Sequence, residues 1–333
     1  VPERSSMTQG VFLGVESTPG PAVTATRKLG SVGFSPGVKA EFTEQRPMGQ
    51  KWLNAALLGK EWSESAIEGA PCYTELPYVF ASLLSAPTIT PITDGVTPTG
   101  GSTWVFTSNS SGDDAPKTYT VEQGSSVRAH RAANVIINEL TMAFSREEVT
   151  LEGAALGQAI EDGITLSGSP TMLPQVMALP KHFSVYLDTT AAGLGTTKLT
   201  RVLSGEIGIS DRYGPLWVVD AAKPSFVTTI ETAPTGSAKL LMEADAQGMA
   251  PLVQMRGATT KFLRIEAVGQ NIYTGGVTVD HRLRWDAAVQ VNEPSEFSDE
   301  DGVYAMEWGF SFVHDPTWGK AVSVEVVTTT SAL

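Results

Sequence analysis

Several stretches of the chain alternate apolar and polar residues, the period of a strand with one wet face. From Val38 to Glu44, Val38, Ala40 and Phe42 point one way while Lys39, Glu41 and Thr43 point the other. From Leu283 to Asn292, Leu283, Trp285, Ala287, Val289 and Val291 alternate with Arg284, Asp286, Ala288, Gln290 and Asn292. Tyr304, Met306, Trp308, Phe310 and Phe312 share a face, and Lys261–Val268 and Ala321–Val326 alternate likewise. Antiparallel sheets buried on one side fit this pattern. Helical spacing is rarer. Thr74–Leu84 places Leu76, Val79, Phe80 and Leu83 on one face as candidate core, with Thr74 as N-cap and Pro77 in the first turn. Ser237–Gln247 is expected to form a second helix, stopped by Gly248.

Short matches recur in the same order along the chain. Val15-Glu16-Ser17-Thr18 resembles Leu187-Asp188-Thr189-Thr190, and Lys28-Leu29 resembles Lys198-Leu199. Ile67-Glu68-Gly69-Ala70-Pro71 resembles Ile230-Glu231-Thr232-Ala233-Pro234, each expected to lead into a helix. A hairpin is expected after each helix, Thr103–Thr107 with Thr118–Val121 and Lys261–Val268 with Tyr273–Val279; His130-Arg131 then answers His281-Arg282. The order predicts a duplication. Ser167–Pro174, rich in Gly, Ser and Pro, reads as the linker. The expected fold is therefore mainly β, two tandem antiparallel sandwiches each flanked by one helix. Residues 1–168 form the first domain, with an extended surface loop at 86–101 and a hairpin at 103–121, and residues 175–333 form the second.

Composition narrows the chemistry. The 333 residues carry 36 Asp and Glu against 23 Lys and Arg, a net charge of −13. That balance argues against gripping nucleic acid, which needs clustered cations. It allows a surface that phosphates slide past, repelled over about 8 Å at physiological salt; it equally describes a surface kept soluble. Cys72 is the only cysteine, so no intrachain disulfide can form. The polar start of the sequence and the absence of any long apolar run predict a chain made in a cytoplasm and outside membranes.

Candidate catalytic patterns are poor. Gly33-Phe34-Ser35-Pro36-Gly37 has the spacing of a nucleophile elbow, but the residue after the serine must donate its N–H to an oxyanion and Pro36 has none. A turn before the Val38 strand accounts for the same residues. Gly193–Lys198 lacks the ending of a phosphate loop. Asp299-Glu300-Asp301-Gly302 lacks EF-hand spacing and reads as a turn. The four histidines, His130, His182, His281 and His314, show no metal-binding spacing. No enzyme activity, metal or cofactor is expected.

Gly59-Lys60-Glu61-Trp62, Ile67-Glu68-Gly69, Glu75-Leu76-Pro77-Tyr78 and Ser82-Leu83-Leu84 together resemble the core signature of the major tail (tail tube) proteins of long-tailed actinobacteriophages. Thr103–Phe106 with Lys117–Glu122 resembles the hairpin that follows in that family, and Gly14–Gly20 resembles its opening. The resemblance covers most of the first half and reaches the second only through the repeat. It implies a β-sandwich with one helix, six such domains per ring, and rings stacked into a tube in the virion tail after assembly in the host cytoplasm. Partners would be further copies of the chain and the tail tip, tape-measure and tail terminator proteins, with duplex DNA passing through unbound. Two domains per chain imply three chains in a pseudo-hexameric ring, or six chains with one domain outside. Four strands per domain would close a 24-stranded barrel roughly 45–50 Å across. Candidate lumen-facing residues are Glu41, Thr43, Asp286, Gln290 and Asn292. The alternative reading is a virion-surface or adhesin sandwich binding cell-wall carbohydrate, which predicts that some of Trp104, Trp217, Trp285 and Trp318 stand in solvent.

Overall fold

A computed structural model describes residues 10–219 and 225–333. The first half lays down β1 (Gly10–Val15), β2 (Arg27–Leu29), β3 (Val32–Gln45), β4 (Ala55–Gly69), helix α1 (Leu76–Leu83) and β5 (Thr88–Asp94). It continues with β6 (Thr97–Thr107), β7 (Tyr119–Gly124), β8 (Ala129–Phe144), β9 (Val149–Gly157), β10 (Glu161–Ile164) and β11 (Thr171–Met172). Then come β12 (Phe183–Asp188), β13 (Lys198–Leu199), β14 (Val202–Ser210), β15 (Tyr213–Val218), β16 (Ser225–Glu231) and β17 (Thr235–Glu243). Helix α2 (Ala250–Arg256), β18 (Lys261–Thr274), β19 (Thr278–Pro294), β20 (Ser298–Glu300), β21 (Val303–Phe312) and β22 (Val322–Thr328) complete the chain.

Twenty of these strands belong to one network of pairings, which divides into three sheets sharing the long strands β8 and β19. The first sheet runs β11–β2–β1–β7–β8–β10 and uses the start of β8. The second runs β3–β4–β9–β8–β14–β17–β21 and ends on β20 and the last residues of β19; here β8 contributes Ile136–Phe144. The third runs β5–β6–β22–β19–β18–β12–β13, with β19 contributing Arg282–Val289. Asn134, at φ +52°, lies where β8 passes from one sheet to the next; asparagine tolerates this left-handed backbone better than most residues. Among the described residues, strands β15 and β16 pair only with each other.

The pairings recur. Those of β1–β2, β1–β7, β7–β8, β8–β10, β8–β9, β9–β4 and β4–β3 are matched in order by β12–β13, β12–β18, β18–β19, β19–β22, β19–β21, β21–β17 and β17–β14. A helix follows β4 and another follows β17, with Pro77 and Pro251 each second in their helix. The two halves also interlock, because β8 pairs with β14 and β6 with β22. One apolar cluster holds Phe34, Ile67 and Phe80 from the first half with Leu240, Trp285 and Trp308 from the second. The segment expected to link two domains lies against the first half: Thr171–Met172 pair with β2, and Leu173 is buried.

Several local expectations need correction. Ser237–Gln247 is not a helix: Ala238, Leu240 and Met242 face the core while Lys239 and Glu243 do not, and the stretch forms β17 between β14 and β21. Its good helix formers are overridden by ladder pairing on both sides. The second helix starts only after Gly248, at Ala250. Ile230–Pro234 accordingly leads into β17 and not into a helix, so the counterpart of β4 is β17. Thr103–Thr107 and Thr118–Val121 do not form a hairpin, since β6 pairs with β5 and β22 while β7 pairs with β1 and β8. The expected loop 86–101 is largely the β5–β6 hairpin. In the second half the hairpin partner of Lys261–Val268 is Arg282–Val289, because β18 runs on through Tyr273 before turning. No turn precedes Val38; β3 runs unbroken from Val32.

Helix α1 has Leu76, Phe80 and Leu83 at 0 % and Val79 at 2 % exposure, and it is buried on every side. A helix apolar all round belongs inside. Thr74 does not cap it. Its hydroxyl donates to the Pro174 carbonyl, and Glu75 takes the N-cap position. The buried Glu75 carboxylate instead accepts from the backbone N–H groups of Gly30, Ser31 and Val32, from Ser31 Oγ and from Gln175 Nε2. It thereby ties the helix start to the β2–β3 turn and to the segment between the halves. Glu75→Gln leaves a donor facing donors, and is expected to lower stability by about 1–3 kcal/mol. Urea denaturation of the unassembled subunit measures this, and an unchanged midpoint would mean the carboxylate does not hold the turn.

Candidate functional site: open sheet edges and an acidic face

The second sheet has strands of both halves side by side, with a joint in its middle and an open edge at each end. At the joint, β14 pairs with β8 through Gly205–Phe144, Glu206–Ala143, Ile207–Met142, Gly208–Thr141 and Ile209–Leu140. Among the described residues, β3 pairs at one end only with β4, and at the other Pro294–Glu300 pairs only with β21. Unpaired edges offer rows of backbone donors and acceptors to another chain. Large apolar residues lie exposed at both ends: Val38 and Phe42 on β3, and Phe297 beside Tyr304. The Phe297 and Tyr304 rings are stacked at 4.5 Å. Beyond the sheet, β3 and β4 continue as a two-stranded arm whose tip exposes Met48 and Trp52. Hairpin β15–β16 leans on this arm, with Trp217 edge-on to Trp62 and Lys60 over the Trp217 ring.

Alternation gives the second sheet one face for the core and one for solvent. Ser65, Ile67, Met142, Leu151, Ile207, Leu240 and Trp308 point inward. Glu64, Glu68, Glu139, Glu152, Glu206 and Glu307 alternate with inward residues on their strands and occupy the other face. Lys39 pairs with Glu64 at 3.2 Å and Lys239 with Glu206 at 3.8 Å, both near the surface. Glu68 and Glu152 stand directly opposite each other in the ladder. Like charges in that position are destabilising, so the sheet carries this row at a cost to its own stability.

Of the residues expected to face a lumen, Gln290 pairs with Ser311 in the ladder, and Asn292 donates to Ser311 Oγ at 2.8 Å. Both therefore share the face of Glu307. Glu41 and Thr43 lie on the arm, with Glu41 beside Lys60 at 3.5 Å. Asp286 lies apart, in the third sheet, held by two bonds from Arg264. Sequence reasoning passed over Glu64, Glu68, Glu139, Glu152, Glu206 and Glu307. The alternation in Ser63–Gly69, which sets Glu64 and Glu68 opposite Ser65 and Ile67, carried the signal for two of them.

Other candidate chemistry stays dispersed. Ser35 lies mid-strand opposite Ala66, not at a strand-to-helix turn. Among the described residues no three His, Cys, Asp or Glu side chains are placed to hold a metal ion. No helix there is long and apolar enough to cross a membrane. Trp104 and Trp285 are buried; Trp217 and Trp318 are half-buried, the latter against Phe262. No protein-family model matches the chain, and no curated protein matches it.

Proposed function

We propose that this chain is a structural subunit of a bacteriophage tail tube, each copy supplying two tandem, related β-sandwich units to a ring. The observation that carries the reading is the joint between β8 and β14. It continues the four strands β3–β4–β9–β8 into the four strands β14–β17–β21–β19, their counterparts in the recurring pairing pattern, and leaves open at the two ends the counterparts of the two strands that meet at the joint. A head-to-tail contact repeated by rotation closes a ring. Three copies would supply 24 strands, a barrel roughly 45–50 Å across at the backbone, wider than a DNA duplex after side chains are subtracted. The acidic face becomes the lumen wall, where carboxylates outnumber the two lysines, Lys39 and Lys239, each of which already has a glutamate partner. Rings stack into the tube between tail tip and terminator, around the tape-measure protein. Trp104 and Trp285 are buried and Trp217 and Trp318 half-buried, so these four do not form an open sugar-binding platform; the exposed tryptophan is Trp52, at the arm tip.

Cryo-electron microscopy of the purified chain and of the virion it belongs to tests the proposal. Hollow tubes of stacked rings with threefold symmetry are expected. Absence of tubes, together with absence of the chain from the tail shaft, would sink it. The lumen has its own test. Wild-type tubes should retain no duplex DNA, whereas tubes carrying Glu68→Lys, Glu152→Lys and Glu307→Lys should hold it at low salt and release it as salt rises. Retention by wild-type tubes would rule out a repelling wall.

A further inference from the structure

The internal joint gives a template for the contact between copies. Strand counterparts follow from the ladders once inward-facing residues are matched. The Gly69–Leu151 pair between β4 and β9 corresponds to the Met242–Met306 pair between β17 and β21. Counting outward along the ladders puts Tyr304 in the place of Val149, Phe297 in that of Met142, and Val38 in that of Ile209. The buried members of these pairs all lie at or beside the joint: Val149 is 7 % exposed, Met142 0 % and Ile209 4 %. Their counterparts, at the two open edges, are 61 %, 46 % and 61 % exposed. A fourth pair behaves the same way: Val79, two residues after Pro77 in α1, is 2 % exposed, while Val253, two residues after Pro251 in α2, is 73 % exposed.

A glycine adds an independent sign. A Cβ on Gly208 would stand 2.7 Å from Thr141 Oγ1 and 2.8 Å from the Leu140 carbonyl, so β8 approaches too closely for a side chain. Gly37 holds the matching place on β3, where the nearest atom to such a Cβ is 3.4 Å away. Among the described residues, nothing crowds Gly37 as β8 crowds Gly208.

We infer that the open edge of β3 in one copy pairs antiparallel with Pro294–Glu300 of the next, in the register of the internal joint. This rests on the tail-tube reading for its biological setting, but its geometry comes from β8 and β14 alone. Pro36 then faces Phe297, Gly37 faces Ser295 and Val38 faces Pro294, with Glu296 the extra residue where the β21 ladder shifts by one. The Phe297–Tyr304 stack is covered. Pro36 has a use in the free subunit too: proline is tolerated on edge strands and limits pairing at wrong registers.

Oxidative cross-linking tests the register. Chains carrying both Val38→Cys and Pro294→Cys, with the buried Cys72 left in place, should give a covalent ladder ending at three chains on a denaturing gel. Either single variant should give none. Tubes that form without cross-linking overturn the joint and leave the tail-tube reading standing. Cross-linked rings from a chain absent from the tail shaft leave the joint standing and remove that reading. A second pair guards against misfolding: Val38→Glu and Phe297→Glu change exposed positions, so each should melt as the wild-type subunit does yet form no rings. Normal ring assembly by both would also overturn the proposal.

Discussion

Phe80→Ala should destabilise the unassembled subunit by about 3–5 kcal/mol, the range for deleting a fully buried aromatic ring. Phe80 is 0 % exposed, meets Trp285 of β19 edge-on at 5.2 Å and lies 5.8 Å from Phe106 of β6. The residue thus joins a helix of the first half to a strand of the second. The lost ring removes transfer energy and edge-to-face attraction, and it leaves a hole bordered by sheets that cannot collapse independently. The loss should fall on one cooperative transition: urea unfolding followed by tryptophan fluorescence and by far-ultraviolet circular dichroism should shift together. A loss below about 1 kcal/mol would mean α1 does not bear on the core. Two separated transitions would mean the halves unfold as independent units, despite the β8–β14 and β6–β22 pairings.

What the sequence disclosed follows the reach of its signals. Period-two alternation reports a strand and its buried face from a few neighbouring residues. Leu283–Asn292 and Tyr304–Val313 could therefore be read directly, and Trp285, Val289, Trp308 and Phe310 are indeed buried. Partner choice is not local. Nothing in Thr103–Thr107 says that its neighbours are Ser323–Thr328 and not Thr118–Val121, since both choices bury the same face. Local propensity misled at Ser237–Gln247, where Ala, Lys, Leu and Met favour a helix until β14 and β21 claim both sides of the strand. The recurring strand pairing has a sequence match at Lys28-Leu29 and Lys198-Leu199, which form β2 and β13, but not at Ile230, where the β15–β16 hairpin interrupts the counterpart of the long β3–β4 arm.

The candidate site was harder to read, for the same reason. Glu68 and Glu152 are 84 positions apart, and only the β4–β9 ladder sets them face to face. Asp286 has the alternation of a channel-lining residue, yet β19 spans two sheets and Asp286 falls in the one where Arg264 neutralises it. Val38 and Phe297 each look like ordinary members of amphipathic strands. Their exposure becomes informative only beside Ile209 and Met142, which show how the same positions look when a neighbouring unit covers them.

Arg212→Met should cost about 3–5 kcal/mol, because it leaves a buried carboxylate without its cation. Arg212 enters from the second half at 2 % exposure and donates to Asp114 Oδ2 at 2.7 Å, with the Asp114 side chain 1 % exposed and Glu231 at 3.2 Å. The same guanidinium donates from Nε to the Leu83 carbonyl at 2.9 Å and from Nη2 to the Leu84 carbonyl at 3.1 Å. These are carbonyls at the end of α1, where a helix has no internal donors left and where its dipole favours a cation. One side chain thereby closes the helix, neutralises Asp114 and fastens the two halves together. Methionine keeps most of the volume, so the loss reports charge and hydrogen bonding, not a cavity. Adding Asp114→Asn removes the stranded charge and should recover a large part of the loss, while the carbonyls of Leu83 and Leu84 keep the Tyr213 hydroxyl but not the guanidinium. Urea denaturation of the single and double variants measures both steps. If Arg212→Met costs less than about 1 kcal/mol, or if Asp114→Asn recovers nothing, the ion pair does not hold the halves together and the burden falls on the strands of β8 and β14.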